Sequence, residues 1–370
     1  MTKAELLNQR MTRIKKAVAL EKPDRIPVVL PYALFAPRTA GISFNDFCSS
    51  IAGSAEAMIQ TYYACGDADG MDYTGFATYG LSMFWLSKVK VPGQKLPEDV
   101  PYRISEAELV KVQDYDTILN RGWPEFYKEF LGRRVFHDVA PEVLPFNKPY
   151  LDAKTVCDPL GIPVLAAGAP LSSPFELLCD GRSMTKFIHD LFTMPDKVQA
   201  VMNEISPYVY GPFLDISVAC GYTGIRVGGW GAADRMLSPK LWDRFVWPYF
   251  RKMVQDVVDR GLVAILHLDS DWACDLARFR ELPGGRCILG TGGHTDLFKA
   301  KELLGDHMCL MADVPTAMFS MSSPDAVYDY CTKLVGELGP EGFILHSGCD
   351  IPDDAKLENV RAMVAAAAGN

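Results

Sequence analysis

No basic block stands out in this chain. Its 46 acidic residues outnumber 37 lysines and arginines, for a formal net charge of −9. A nucleic-acid backbone or an anionic bilayer would be repelled by that balance, so neither is an expected partner. No apolar run reaches the ~18 residues of a membrane span. The polar start, Met1 to Gln9, lacks the apolar core of a secretory signal, which points to the cytoplasm. Ten cysteines occur without a CxxC pair or a regular spacing. That pattern suits reduced core residues, with one or two available as ligands. There is no GxSxG elbow, no phosphate-binding loop and no HExxH helix. We find no internal repeat, and no low-complexity segment beyond the alanines at 365–368.

What remains is ordinary globular composition, 49% hydrophobic and 22% charged over 370 residues. It supports an ample core. An opening helix is expected over 4–21, broken by Lys22-Pro23. Short apolar runs of strand length then occur at 26–31, 69–75, 163–168, 222–228, 264–271, 287–292, 307–314 and 343–349. Helical patterns lie between the later ones, at about 172–192, 195–219, from Ser238-Pro239, 272–282, 296–304, 324–338 and 356–368. Strands alternating with helices imply a parallel sheet. Eight such units predict an α/β fold, a (β/α)8 TIM barrel with an N-terminal helix, as a single domain over 1–370. A doubly wound sheet is the alternative, but no glycine-rich fingerprint follows the first strand. Residues 76–160 are rich in aromatics and prolines, with one helix near 105–131. They are too long for a simple connection and read as a lid-like insertion after strand two.

The chemistry concentrates at two strand tips. Ala264-Ile265-Leu266-His267-Leu268-Asp269 runs from apolar residues to a histidine and an acid two positions apart, which share a strand face. Phe343-Ile344-Leu345-His346-Ser347-Gly348-Cys349 ends in a thiol. On a barrel both tips open on the C-terminal mouth, where active sites form. Imidazole, carboxylate and thiolate together can hold Zn²⁺ with a fourth position open. The competing reading makes His267 a hydrogen-bonded barrel histidine and Cys349 a small buried residue; spacing alone leaves both open. His346 and Glu281 are alternative ligands. His346 should face away from Cys349, and Glu281, with Cys309, should lie at the opposite end of the barrel. Arg226, inside strand four, is expected to pair with a buried acid.

These residues resemble the uroporphyrinogen decarboxylase superfamily over nearly the whole chain. Asp24-Arg25-Ile26-Pro27-Val28 is similar to its N-terminal signature. Gly168-Ala169-Pro170-Leu171 and Met194-Pro195-Asp196-Lys197-Val198 match its middle. The stretch from Leu237-Ser238-Pro239 to Trp247-Pro248-Tyr249 and the closing Gly348-Cys349-Asp350-Ile351-Pro352 are similar to later blocks. The resemblance implies a TIM barrel. The true decarboxylases carry an N-terminal R-Q-A-G-R pattern and an aspartate after strand two. Here Leu30-Pro31-Tyr32-Ala33-Leu34-Phe35 has no such arginines, and Gly75 or Phe76 takes the aspartate's approximate place.

The other branch of the superfamily is the cobalamin-dependent methyltransferases. The H-x-C and distant cysteine of the members acting on coenzyme M, carried over by position, become zinc ligands His267, Asp269 and Cys349. The carboxylate departs from the pattern and leaves the metal a stronger Lewis acid. The resemblance therefore implies an O-demethylase methyltransferase. It would move a methyl from a methoxylated, commonly aromatic, small molecule to the Co(I) cobalamin of a separate corrinoid protein. The implied substrate wall includes Trp230, Tyr73 and Tyr79, with Phe84, Trp85 and Arg226 beside it. A homodimer stays open. Alternatives are a metal-free decarboxylase, or methyl transfer from methyl-corrinoid to a thiol or tetrahydrofolate.

Overall fold

The computed structural model describes the chain apart from residues 73–80, 106, 138, 140–151, 167–169, 230–236 and 370. The strands, in chain order, are β1 (Val29–Leu30), β2 (Gly70–Met71), β3 (Lys88–Lys90), β4 (Arg103–Ser105), β5 (Gly224–Gly229), β6 (Val263–Leu268), β7 (Cys287–Thr291), β8 (Cys309–Val314) and β9 (Phe343–Ser347). The last five form one parallel sheet in sequence order. Nearly all their residues are buried, as expected of strands covered on both faces.

Shorter parallel pairings continue the order. Val28 bridges Leu345 of β9, β1 pairs with β2, Met71 bridges Val164, and Ala166 bridges Gly224 of β5. The pairings thus lead through eight positions and return to their start, in the order of a TIM barrel. The expected third strand is represented by the bridges at Val164 and Ala166.

Alternate residues divide the core. Val29, Leu165, Ile265, Ile288, Met311 and Ile344 cluster with Ile14, Ala17 and Val18 of the opening helix Lys3–Val18. Their neighbours Val28, Leu30, Leu266, Leu289, Leu310 and Leu345 join the larger core under the outer helices. This period of two separates barrel lumen from helix layer. The opening helix is tied to the same end by charge. Arg13 bonds Asp24 and buried Asp69, and the Asp69 carboxylate also accepts from the Val28 amide at 2.9 Å.

Several helices are shorter than their periodicity suggests. The expected helix near 105–131 divides into Asp114–Arg121 and Trp123–Phe130. Gly122, at φ 81°, breaks it between them, and β4 occupies part of the range. The helix expected over 172–192 divides at Ser183, φ 69°. The stretch 272–282 yields only the 3-10 segment Leu276–Glu281. Among the described residues no helix is long and apolar enough to cross a membrane.

Helix Pro174–Arg182 starts where sequence chemistry places a start. Ser173 accepts from the Glu176 amide, and proline occupies the first turn. Ser173 is 2% exposed, so water cannot replace its oxygen. Ser173→Ala is expected to cost about 1 kcal/mol, read as a lower urea midpoint at unchanged slope; an unchanged midpoint would mean the cap contributes nothing.

Candidate metal centre at the barrel mouth

His267 sits near the end of β6, in register with Gly228 of β5 and Gly290 of β7. In a parallel sheet such partners share a face, so the imidazole has a glycine on either side. At Gly290 an added Cβ would come within 3.2 Å of the Leu266 carbonyl oxygen. Asp269 follows, just past the strand. Its amide bonds Gly229 O, its carbonyl accepts from Trp272 Nε1 at 2.6 Å, and the Trp272 amide is held by Thr295. The backbone of Asp269 is therefore fixed on both sides.

Cys349 follows β9. The Ser347 hydroxyl donates to its carbonyl. The next residue, Asp350, accepts from the amides of Ala33 and Leu34 at 2.9 and 2.8 Å. That clamp ties the loop after β9 to the loop after β1. At Gly348 an added Cβ would come within 3.3 Å of Gly292, so glycine permits the loops after β9 and β7 to approach closely.

The structure brings the three residues together. One ligand atom each from His267, Asp269 and Cys349 all lie within 4.8 Å of one another. His267 Nε2 stands 3.7 Å from Asp269 Oδ1, about the donor spacing across a tetrahedral zinc site. Burial pushes the His267 imidazole well below its ordinary pKa, and Arg226 adds to this. The ring is neutral, the state in which it binds a metal. Burial also raises Asp269, against the pull of Arg226 and His294. It raises the Cys349 thiol too, with Asp269 contributing. Burial thus disfavours the anionic form of both donors, and a divalent cation between them would favour it. The donor set and its electrostatics fit zinc.

Beneath the three lies a buried charged layer. Asp72 is wholly buried. Arg226 Nε and His346 Nε2 each stand 3.4 Å from Asp72 Oδ2. Burial by itself would raise the Asp72 carboxyl, but Arg226, His346 and His267 outweigh it and hold it at about 2. Arg226 thus has its acidic partner inside the barrel. His346 faces that partner and bonds Ser347 O through Nδ1, outside the three-donor cluster. Glu281 lies elsewhere, accepting from Trp247 Nε1 at 3.2 Å. Cys309 opens β8 in the lumen core.

A cavity of about 360 Å³ stands over the site. Its apolar wall includes Trp85, Tyr102 and Ile104, and its polar lining includes Arg226, Asp180 and Asp350. Trp230, Tyr73 and Tyr79, expected as substrate wall, lie outside the described residues, as does the Phe84 side chain. Tyr102, Asp72, Asp180 and Asp350 were not singled out from sequence. For Asp72 the signal was present, an acid inside a strand of buried residues; for Tyr102 and Asp180, which lie far from either tip, there was none.

The comparisons agree with this architecture. The family model for uroporphyrinogen decarboxylase (URO-D) matches residues 157–369. A uroporphyrinogen decarboxylase of Geobacter sp. (strain M21) is 26% identical over 239 residues, covering 60% of this chain and 67% of its own length. That of Citrifermentans bemidjiense is 26% identical over the same shares. Among solved structures, a methyltransferase from Methanosarcina mazei superposes with TM-score 0.73 over 97% of this chain and 98% of its own, at 16% identity. That likeness concerns the fold. The matched segment holds β5 to β9 and all three donors, and it covers more than half of the sequence, so the chain belongs to the uroporphyrinogen decarboxylase family.

Proposed function

We propose that this protein is a zinc-dependent methyltransferase, which moves a methyl group from a methoxylated, aromatic small molecule to the Co(I) corrinoid of a partner protein. The observation that carries the reading is the convergence of His267, Asp269 and Cys349 at the mouth. A zinc ion held there would supply Lewis acidity toward an ether oxygen. The chain's own residues do the rest. Neutral His267 offers its lone pair. Asp269 and Cys349 offer anionic donors, fixed by Trp272 and by the Asp350 clamp. Trp85, Tyr102 and Ile104 provide an apolar wall against which an aromatic ring can lie. The Asp72–Arg226–His346 layer keeps the floor of the site polar without offering a free anion.

The same cavity argues against a tetrapyrrole with many carboxylates. Among the described residues of its lining Arg226 is the one arginine or lysine, and it is already engaged with Asp72. Asp180, Asp269 and Asp350 line it too and would repel a polyanion.

The test is direct. Purified protein is expected to hold about one zinc per chain and, mixed with a Co(I) corrinoid protein, to transfer methyl groups from a methoxybenzoate. The change in corrinoid absorbance reads the transfer. Protein that takes up no added zinc, or that decarboxylates porphyrinogens without metal, would overturn the proposal.

A further inference from the structure

A second cavity, of about 540 Å³, opens between residues 83–131 and 172–213 and, among the described residues, shares no lining residue with the mouth. Trp123 and Tyr127 form one wall, stacked with ring centroids 5.1 Å apart and planes 22° from parallel. Tyr127 donates its hydroxyl to Met83 O at 2.9 Å, so the wall is fixed before any ligand arrives. Most of the remaining lining is apolar, and the volume falls in the range of small-molecule sites.

Besides the tyrosine hydroxyls, two polar side chains, Ser172 and Lys128, interrupt that surface. Ser172 is 4% exposed, and its hydroxyl has no hydrogen-bond partner among the described residues. A buried hydroxyl without a partner is unusual and points to an absent one. Lys128 belongs to the lining and is exposed. The acids nearest it in sequence are held by others: Glu125 by Arg121, and Glu129 by Arg121 and Arg133. Lys128 makes no ion pair among the described residues.

We infer that this cavity is a binding site for a small aromatic carboxylate with a polar substituent on its ring. The ring would lie on the Trp123–Tyr127 wall, the carboxylate would meet the Lys128 ammonium, and the substituent would meet Ser172. The inference does not depend on the metal centre.

Binding of 4-hydroxybenzoate by titration calorimetry tests it, with benzoate and the neutral 4-hydroxybenzamide as comparison probes. The full chain is expected to show a saturable event in which 4-hydroxybenzoate exceeds both. Lys128→Gln should weaken it about tenfold and remove the preference over the amide. Ser172→Ala should remove the preference over benzoate. Val209→Trp, which fills the cavity, should abolish the event, and His267→Ala should leave it unchanged. Thermal melts confirm that each variant is folded. Absence of saturable binding to the wild type would overturn the inference. So would an event lost in His267→Ala but kept in folded Lys128→Gln and Val209→Trp, because the probe would then be occupying the mouth.

Discussion

His267→Ala is expected to lose its stoichiometric zinc and at least about a thousandfold of its methyl-transfer rate, while keeping its fold. Three donors leave an open site, and two do not hold zinc against buffer. The rate follows the metal, because an aryl ether leaves poorly without electrostatic help at its oxygen, and such help is worth several kcal/mol. Each 1.36 kcal/mol is a factor of ten. The fold should survive, since His267 lies between Gly228 and Gly290 and a methyl group in its place strains neither neighbour. Cys349→Ala should behave alike, because the Asp350 clamp that holds its loop stays intact. Metal content and rate must fall together. A variant that loses zinc and keeps its rate would remove the metal from the chemistry.

Asp269 separates two accounts of what the metal is for. A carboxylate donates less charge than a thiolate, so the ion stays more electrophilic. Asp269→Cys keeps three donors and should therefore retain zinc, yet transfer from an aryl ether should fall by tenfold or more. An unchanged ether rate would mean that donor softness at this position does not matter.

How far the site was legible depends on which interactions made it. His267 and Asp269 could be paired from spacing, because a strand repeats every two residues. Cys349 could be placed at the same mouth because the strand–helix alternation put both tips at one end. The helix Pro324–Leu338, with Ser323 as cap and proline in its first turn, begins and ends where the pattern put it. What escaped was set by tertiary contact. Gly122 and Ser183 take positive φ with extended ψ, which divides apparently continuous helices. After Asp269, Trp272 folds back to the Asp269 carbonyl, and only Leu276–Glu281 is helical, as a 3-10 segment. The clamp of Asp350 joins residues more than 300 positions apart, a distance across which local pattern is silent. Arg226 was legible as a cation needing a buried acid. That the acid is Asp72, and that His346 shares it, required the ring of strands to bring β2, β5 and β9 around one lumen.

Asp72 should accordingly be the most costly single charge to remove from that lumen. Asp72→Asn leaves the shape almost unchanged and deletes the anion that Arg226 and His346 face. Asp72 is wholly buried, and its carboxyl is held at about 2 from an ordinary 3.8. That difference corresponds to roughly 2 kcal/mol at neutral pH. Stranding the Arg226 guanidinium raises the cost toward the ~3–5 kcal/mol seen when one member of a buried pair is removed. The sign of the pH dependence follows from the lowered pKa. The folded protein binds this proton less readily than the unfolded chain, so the stabilisation is fully present above about 4. It is lost as pH falls from there toward about 2. Protonated aspartic acid then resembles asparagine, and the stability gap between wild type and Asp72→Asn should narrow over that window. Urea titrations at pH 7, 5, 4 and 3 measure the gap. A gap that stays constant from pH 7 to 3 would show that the Asp72 charge does not hold the layer together, and that shape alone does.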